Sequence, residues 1–306
     1  MKDDIYAVMD FGSNTVTLAV YRMGYHDFRL ILKQKSALGI IRYIKEGVLS
    51  EDGIKLAIET LAELKRAAQL LTNEVYCFAT ASLRGVSNAQ NVLIQIKTEL
   101  NIDVDMLSGE QEAYYDYLGL MHFLPGIRNA VALDIGGGSM EIIHIRSGRL
   151  YQCISLPTGS LKLSIEYAGG RFPAQQKTVQ IEAGVNALLS QVDWLPNIMS
   201  DTIYTIGGTA RAVSKLHKSI FAYSMDSKGY SYPVSDISPL LLYLEDENHY
   251  QRMQQIIPDR IQTIVPGMIA LQAVARKAGA RTAVVSKYGV REGYLLGRTL
   301  SGGRRT

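Results

Sequence analysis

Short apolar runs and alternating strands open the chain, and the same pattern returns in its second half. "IYAVM" (5–9) and "AVAL" (130–133) read as buried strands, and each leads through a glycine-bearing turn into an alternating strand, "TVTLAVYR" or "MEIIHIR". A second turn, near Gly24 or Gly148, leads to "FRLILKQ" or "LYQCIS", so both halves open with an antiparallel meander. The spacing then changes to that of a helix with one apolar face: Ile54, Ala57, Ile58, Leu61, Leu64 and Ala68 in the first half, Ile181, Val185, Leu188, Leu189 and Val192 in the second. Next, "EVYCF" runs into Ala79-Thr80-Ala81-Ser82-Leu83-Arg84 and "TIYTI" runs into Gly207-Gly208-Thr209-Ala210-Arg211. Both read as a strand ending in a small-residue turn that opens a helix. Gly109-Glu110-Gln111-Glu112-Ala113-Tyr114 pairs more loosely with Gly289-Val290-Arg291-Glu292-Gly293-Tyr294.

Asp10 and Asp134 mark the same point in each copy, 124 residues apart, which is too long for a solenoid repeat and implies two related domains. The pattern therefore predicts an α/β protein made of two βββαβα-type units, 1–125 and 126–306, divided near Pro125-Gly126. A cleft between the domains is expected, with the last helix crossing back to the first domain.

Composition narrows the class. With 47% hydrophobic and 20% charged residues, 27 glycines and a net charge of +3, the chain reads as globular and not disordered, collagenous or disulfide-rich. That weak charge argues against nucleic acid as the main partner and leaves an anionic small molecule or polymer open. Cys77 and Cys153 lie in apolar runs and read as thiols of a reducing compartment. "MKDDIYAVMDFG" carries two acids where a secretory leader carries basic residues, and no apolar run approaches about 18 residues. The expectation is a cytoplasmic, non-membrane protein.

The turns suggest the chemistry. Small residues present consecutive backbone N–H groups to an anionic oxygen. Gly136-Gly137-Gly138-Ser139 is the stronger case, Gly12-Ser13-Asn14 its counterpart, and Gly207-Gly208-Thr209 a third turn, at a helix start. Any one of them alone reads as a tight turn; together they predict a phosphorylated ligand. Asp134 closes a strand with Glu141 on the next one, a pair suited to Mg²⁺ held jointly with substrate phosphates. Asp10 is open to two readings, a cation ligand or an acceptor of N–H groups in its own turn. Ser108 and Gln111 form a capping-box pattern, placing Glu110 and Glu112 in a first helical turn, where acids usually answer the helix dipole. Proximity to the domain boundary singles out Glu112. Arg84 and Arg211 each follow a small-residue turn and suit a phosphate, although most arginines are simply solvated. The histidines show no metal spacing, and no Walker-type run is present.

Taken in order, "MDFGSNTVTLAVY", "ATASLRGVSN", "LSGEQEAYYDYLGL", "LDIGGGSMEII", "SLPTGSLKL", "IGGTARAV", "IVPGMIAL" and "VVSKYGVREGYLLG" resemble the exopolyphosphatase and guanosine pentaphosphate phosphohydrolase (Ppx/GppA) family. This family lies within the actin, heat-shock chaperone and sugar-kinase superfamily, and the resemblance runs nearly end to end. It implies a ribonuclease-H-like, actin-like ATPase fold in each domain and hydrolysis of a terminal phosphoanhydride bond. Glu112 matches the catalytic glutamate. Asp134 and Glu141 match carboxylates that hold Mg²⁺, and Asp10 is grouped with them. Gly137, Gly138 and Ser139 match donors of the second phosphate loop, Gly12, Ser13 and Asn14 the first, Gly208 and Thr209 the third, and Arg84 a clamp on the phosphate chain. Polyphosphate is the first substrate expected and guanosine penta- or tetraphosphate the second; the family often forms homodimers. Two departures stand out: Met140 where the loop usually has threonine, and Gln262 where an aspartate is common. They leave a catalytically weak alarmone-binding regulator as an alternative.

Overall fold

The computed structural model describes residues 4–24, 27–169, 175–198, 200–221 and 229–302. The chain divides into two compact units, Met1–Gln111 and Glu112–Thr306.

In the first unit the meander is β1 (Ile5–Phe11), β2 (Thr15–Met23) and β3 (Phe28–Ala37), followed by a short hairpin of β4 (Ile44–Lys45) and β5 (Val48–Leu49). Then come α1 (Glu51–Gln69), β6 (Val75–Ala79), α2 (Ala81–Arg84), α3 (Ala89–Leu100) and β7 (Val104–Met106). The sheet order is β3-β2-β1-β6-β7, antiparallel within the meander and parallel from β1 onward. All six apolar positions expected on the first helix are buried on α1, whose start is capped by the Ser50 hydroxyl accepting from the Gly53 N–H at 3.3 Å.

α4 (Gly109–Phe123) begins at the end of the first unit and runs into the second. Its capping box is present: the Ser108 hydroxyl accepts from the Gln111 N–H at 3.1 Å, and the Gln111 amide oxygen accepts from the Ser108 N–H at 2.8 Å.

The second unit repeats the plan with β8 (Ala130–Ile135), β9 (Met140–Arg146), β10 (Arg149–Leu156), α5 (Ser160–Ala168), α6 (Gln175–Leu189), β11 (Thr202–Ile206) and α7 (Gly207–Phe221). β12 (Tyr230–Pro233), α8 (Ile237–Glu245), α9 (Tyr250–Ile256), α10 (Ile264–Lys277), β13 (Thr282–Val285) and α11 (Val290–Gly302) complete it. The order β10-β9-β8-β11-β13 matches the first sheet, with β12 added antiparallel at the edge. Ile181, Val185 and Leu189 bury the inner face of α6 in the larger core, and α10 is buried along nearly its whole length.

Strand–turn–strand geometry repeats as closely as the strand order does. The first hairpin pairs Asp10 with Thr17 and closes with the Gly12 N–H donating to Thr15 O at 3.1 Å. The second pairs Asp134 with Glu141 and closes with the Gly136 N–H donating to Ser139 O at 3.0 Å. α4 and α11 each follow the last parallel strand of their sheets, and they pack backbone to backbone: a Cβ on Gly119 would overlap Gly289 O, and one on Gly293 would overlap Tyr115 O. Cys77 and Cys153 are free thiols. Burial, and next the Asp10 carboxylate, push the Cys77 thiol far up in pKa, as expected of an inert core thiol. No helix among the described residues is long and apolar enough to cross a membrane.

Candidate functional site

The Gly136–Ser139 turn is held from behind. The Gly136 carbonyl accepts from the Ser160 N–H (2.9 Å) and the Ser160 hydroxyl (3.0 Å), and the Gly137 carbonyl accepts from the Leu161 and Lys162 N–H groups (3.1 and 3.0 Å). The three N–H donors are the otherwise unsatisfied groups of the first turn of α5. In a trans peptide the C=O and the following N–H point in opposite directions. Turning the two carbonyls toward α5 therefore turns the N–H groups of Gly137 and Gly138 to the other side, as an anion cradle requires. The expected donors Gly137 and Gly138 are thus oriented by the start of α5, a contact distant in sequence.

Gly159, the N-cap of α5, allows this approach. A Cβ there would lie 2.6 Å from Gly137 C and 2.7 Å from Gly136 O, both backbone atoms that cannot swing aside. Gly159→Ala should push the turn out of place at a cost of about 1–3 kcal/mol, lowering both phosphate release and the melting temperature. Wild-type values for both would refute this account of the turn.

The carboxylates come from three elements. Asp134 and Glu141 stand opposite each other on β8 and β9, so their side chains share a sheet face, and they are 9% and 0% exposed. The Ser155 hydroxyl donates to Glu141 Oε1 at 2.7 Å. Glu112, on α4, is 7% exposed. One turn along the same helix lies Asp116, fully buried; burial first, then the charges of Asp134, Glu141 and Glu112, hold its carboxyl pKa well above the usual range. Neither Asp116 oxygen makes a hydrogen bond of sound geometry, the Val290 amide being near enough only to oppose the shift.

Beside Asp134 lies the third turn. Gly207 has φ +81°, in the left-handed region, and a Cβ there would overlap Asp134 Oδ1. A Cβ on Gly208 would overlap the Arg260 guanidinium. Thr209, expected to bind phosphate, donates its hydroxyl to Ile135 O at 2.8 Å, so its side chain joins α7 to the end of β8. Ser82 makes the equivalent bond in the first unit, to Phe11 O at 2.5 Å.

Three guanidinium groups act here. Burial, followed by Arg291, lowers the Arg211 pKa, while Glu292 and Asp134 oppose the shift. Burial likewise lowers Arg260, and Asp134 opposes it. Arginine remains charged throughout the physiological range, so these groups put positive charge beside the carboxylates. Glu292 Oε2 accepts from the Gly289 N–H at 3.0 Å, capping α11. Arg260, Arg291 and Asp116 were not singled out from the sequence as site residues; for Asp116, the available signal was its i+4 spacing from Glu112.

The two departures in the motifs stand in different surroundings. Met140 is fully buried in the larger core, on the sheet face opposite Glu141, so a threonine hydroxyl is not lost from the turn. The Gln262 side chain is exposed, and its carbonyl accepts from the Ser164 hydroxyl at 2.8 Å. In the first unit Ser13 is buried, and the Asn14 carbonyl accepts from the Leu38 and Gly39 N–H groups at 2.9 Å each. Asp10 lies beside its own turn, 3.8 Å from where a Gly12 Cβ would be, and Arg84 ends α2 directly after β6.

The model of the Ppx/GppA phosphatase family matches residues 19–301. The chain belongs to that family. Among curated relatives of this Ppx/GppA phosphatase, exopolyphosphatase 1 of Mycobacterium leprae is 24% identical, the match covering 94% of this chain and 88% of the relative. The guanosine-5'-triphosphate,3'-diphosphate pyrophosphatase of Photobacterium profundum is also 24% identical, over 95% of this chain and 58% of the longer relative. Two crystal structures share the fold over 98% of the chain. The Aquifex aeolicus Ppx/GppA family member has a TM-score of 0.79 at 24% identity and is covered over 99% of its length; an exopolyphosphatase from Cytophaga hutchinsonii has 0.86 at 22%, over 98%. The expected fold class, two α/β domains of the actin-like kind, is the one found.

Proposed function

We propose that this Ppx/GppA phosphatase removes terminal phosphate from a phosphoanhydride chain, with inorganic polyphosphate as first substrate, guanosine pentaphosphate as the second, and Mg²⁺ as cofactor. The observation that carries this reading is the bracing of the Gly136–Ser139 turn by α5, which leaves the Gly137 and Gly138 N–H groups on the side away from that helix, in the same compact unit as Glu112, Asp134 and Glu141. Phosphoryl transfer asks a protein for positioning, charge stabilisation and an oriented nucleophile, and for little covalent chemistry. The cradle and the start of α7 would position the terminal phosphate, Arg211 and Arg260 would meet its charge, and Glu112 would orient the attacking water and take its proton.

Among the described residues no three His, Cys, Asp or Glu side chains converge to cage a metal unaided. Two paired carboxylates, Asp134 and Glu141, nonetheless suit Mg²⁺, which keeps several waters and takes its remaining oxygens from substrate phosphate. The unpartnered oxygens of Asp116 fit a cation as well. Bound there, Mg²⁺ would supply charge neutralisation on the transferring phosphoryl group.

The test is phosphate release from short polyphosphate, long polyphosphate, guanosine pentaphosphate and ATP, each with Mg²⁺ and with EDTA. Release from polyphosphate that EDTA abolishes is expected. Transfer from ATP to an acceptor in place of hydrolysis, or turnover of none of the four, would overturn the reading.

A further inference from the structure

The face of α7 turned from the core carries positive charge that the proposed chemistry leaves unused beyond Arg211. Ala210, Val213, Leu216 and His217 are buried, whereas Arg211, Lys215 and Lys218 follow one another at i+4 and i+3 along the other side of the helix. Lys215 is exposed; the Lys218 ammonium is held over the Tyr230 ring, 4.3 Å from its centroid. One turn beyond Lys215, the Ser219 carbonyl and hydroxyl accept from the Arg252 guanidinium of α9 at 2.8 and 3.2 Å. Charged helix faces commonly alternate in sign, yet α7 contains no Asp or Glu. Arg276 and Arg281 of the same unit have carboxylate partners, Glu182 at 2.9 Å and Asp201 at 3.0 Å. Among the described residues no carboxylate pairs with Lys215, Lys218 or Arg252, and Asp236, which does reach α7, is taken by His217 at 3.0 Å. The helix dipole accounts for Lys218 in the last turn and not for Lys215 in the middle. The row also begins at the site: Gly207 lies against the Asp134 carboxylate, Gly208 against the Arg260 guanidinium, and Thr209 is bonded to the end of β8.

We propose that this face of α7 is a binding track for the part of an inorganic polyphosphate chain that lies beyond its terminal phosphates, with Lys215, Lys218 and Arg252 continuing the charge of Arg211. The inference rests on polyphosphate as the first substrate of the proposed function. From Arg211 to Lys218 the helix advances about 10 Å, at about 1.5 Å per residue, room for several linked phosphates. Lysine ammonium groups on flexible stems suit a chain that has no fixed register, since each acts as a point charge. A nucleotide brings only a few phosphates and would leave the far cations idle, so the track favours long chains.

Binding of end-labelled long-chain polyphosphate to the full chain is followed by fluorescence anisotropy without Mg²⁺, at low and at physiological salt, with tripolyphosphate and single-stranded DNA as competitors. Phosphate release from the long chain and from tripolyphosphate is then measured with Mg²⁺. Wild type is compared with Lys215→Glu and with the triple variant Lys215→Ala/Lys218→Ala/Arg252→Ala, and circular dichroism checks that each is folded. The triple variant should bind the long chain about tenfold more weakly and Lys215→Glu about fivefold, each with a shallower dependence on salt. KM for the long chain should rise in step, while its kcat and both constants for tripolyphosphate stay within about twofold of wild type. Long-chain affinity of a folded variant within about twofold of wild type overturns the inference and leaves the proposed hydrolase intact. Wild type that binds the long chain no better than tripolyphosphate, or variants that lose both ligands equally, also overturn it. DNA that displaces the long chain at equal phosphate concentration makes the face a general polyanion surface, and the inference falls. Weakened long-chain binding in the variants, with no phosphate released by wild type, overturns the hydrolase and leaves the track standing. If the triple variant does not fold, Lys215→Glu, a change at an exposed position, decides alone.

Discussion

Glu112→Gln should reduce phosphate release by about a thousandfold or more while the protein stays folded. The substitution keeps the size and hydrogen-bonding reach of the side chain and removes its ability to accept a proton from water. The start of α4 does not depend on it, since the Ser108–Gln111 capping box satisfies that end. Glu112 is 7% exposed, and glutamine fills the same volume and can still hydrogen-bond, so the fold should survive the change. Phosphate release and thermal melting, measured on one preparation, decide the matter. Activity near wild type would remove Glu112 from the mechanism; a collapsed melting temperature would make its role structural.

Gly207→Ala should be nearly as damaging for a different reason. Gly207 has φ +81°, a conformation that costs an ordinary residue about 1–2 kcal/mol, and its added Cβ would overlap Asp134 Oδ1. Relief can come only from moving the Asp134 carboxylate or the start of α7, and either change disturbs the site. Activity should fall by about a hundredfold, the scale of a misplacement of about 1 Å, with a modest drop in melting temperature. If melting falls and turnover does not, Asp134 has no part in the chemistry.

Much of this organisation was legible before any coordinates. Both meanders announce themselves by alternation, and α1 and α6 by apolar positions that the structure buries, Ile54, Leu61 and Leu64 on one and Ile181, Val185 and Leu189 on the other. The loosest internal match, between the segments at Gly109 and Gly289, corresponds to α4 and α11, which hold equivalent places after the last parallel strand of each sheet. Its weakness in sequence has a physical cause: α4 carries Glu112 and the buried Asp116, whereas α11 offers Gly293 and Gly297 to the flank of α4. Asp116 escaped notice because an acid inside the aromatic run Tyr114-Tyr115-Asp116-Tyr117 looks like the solvated face of a helix, and only tertiary contact shows it buried. Arg260 and Arg291 reach the surroundings of Asp134 and Arg211 through long-range folding that no local periodicity encodes. Gly159 reads as one more flexible glycine until Gly136 and Gly137 are seen resting against it.

The bracing of the Gly136–Ser139 turn by α5 also bears on how this protein should respond to its medium. Peptide N–H groups have no proton to lose or gain in the biological range and carry no formal charge that salt can screen, and the helix behind them polarises them continuously. Affinity of the Gly137–Gly138 cradle for phosphate should therefore vary little with acidity, apart from the ionisation of phosphate itself. The pH profile of turnover would then be written by the carboxylates and by the phosphate's own ionisation, with the cradle adding little to it, and any loss of hold at high salt would report on the guanidinium and ammonium groups and not on the cradle.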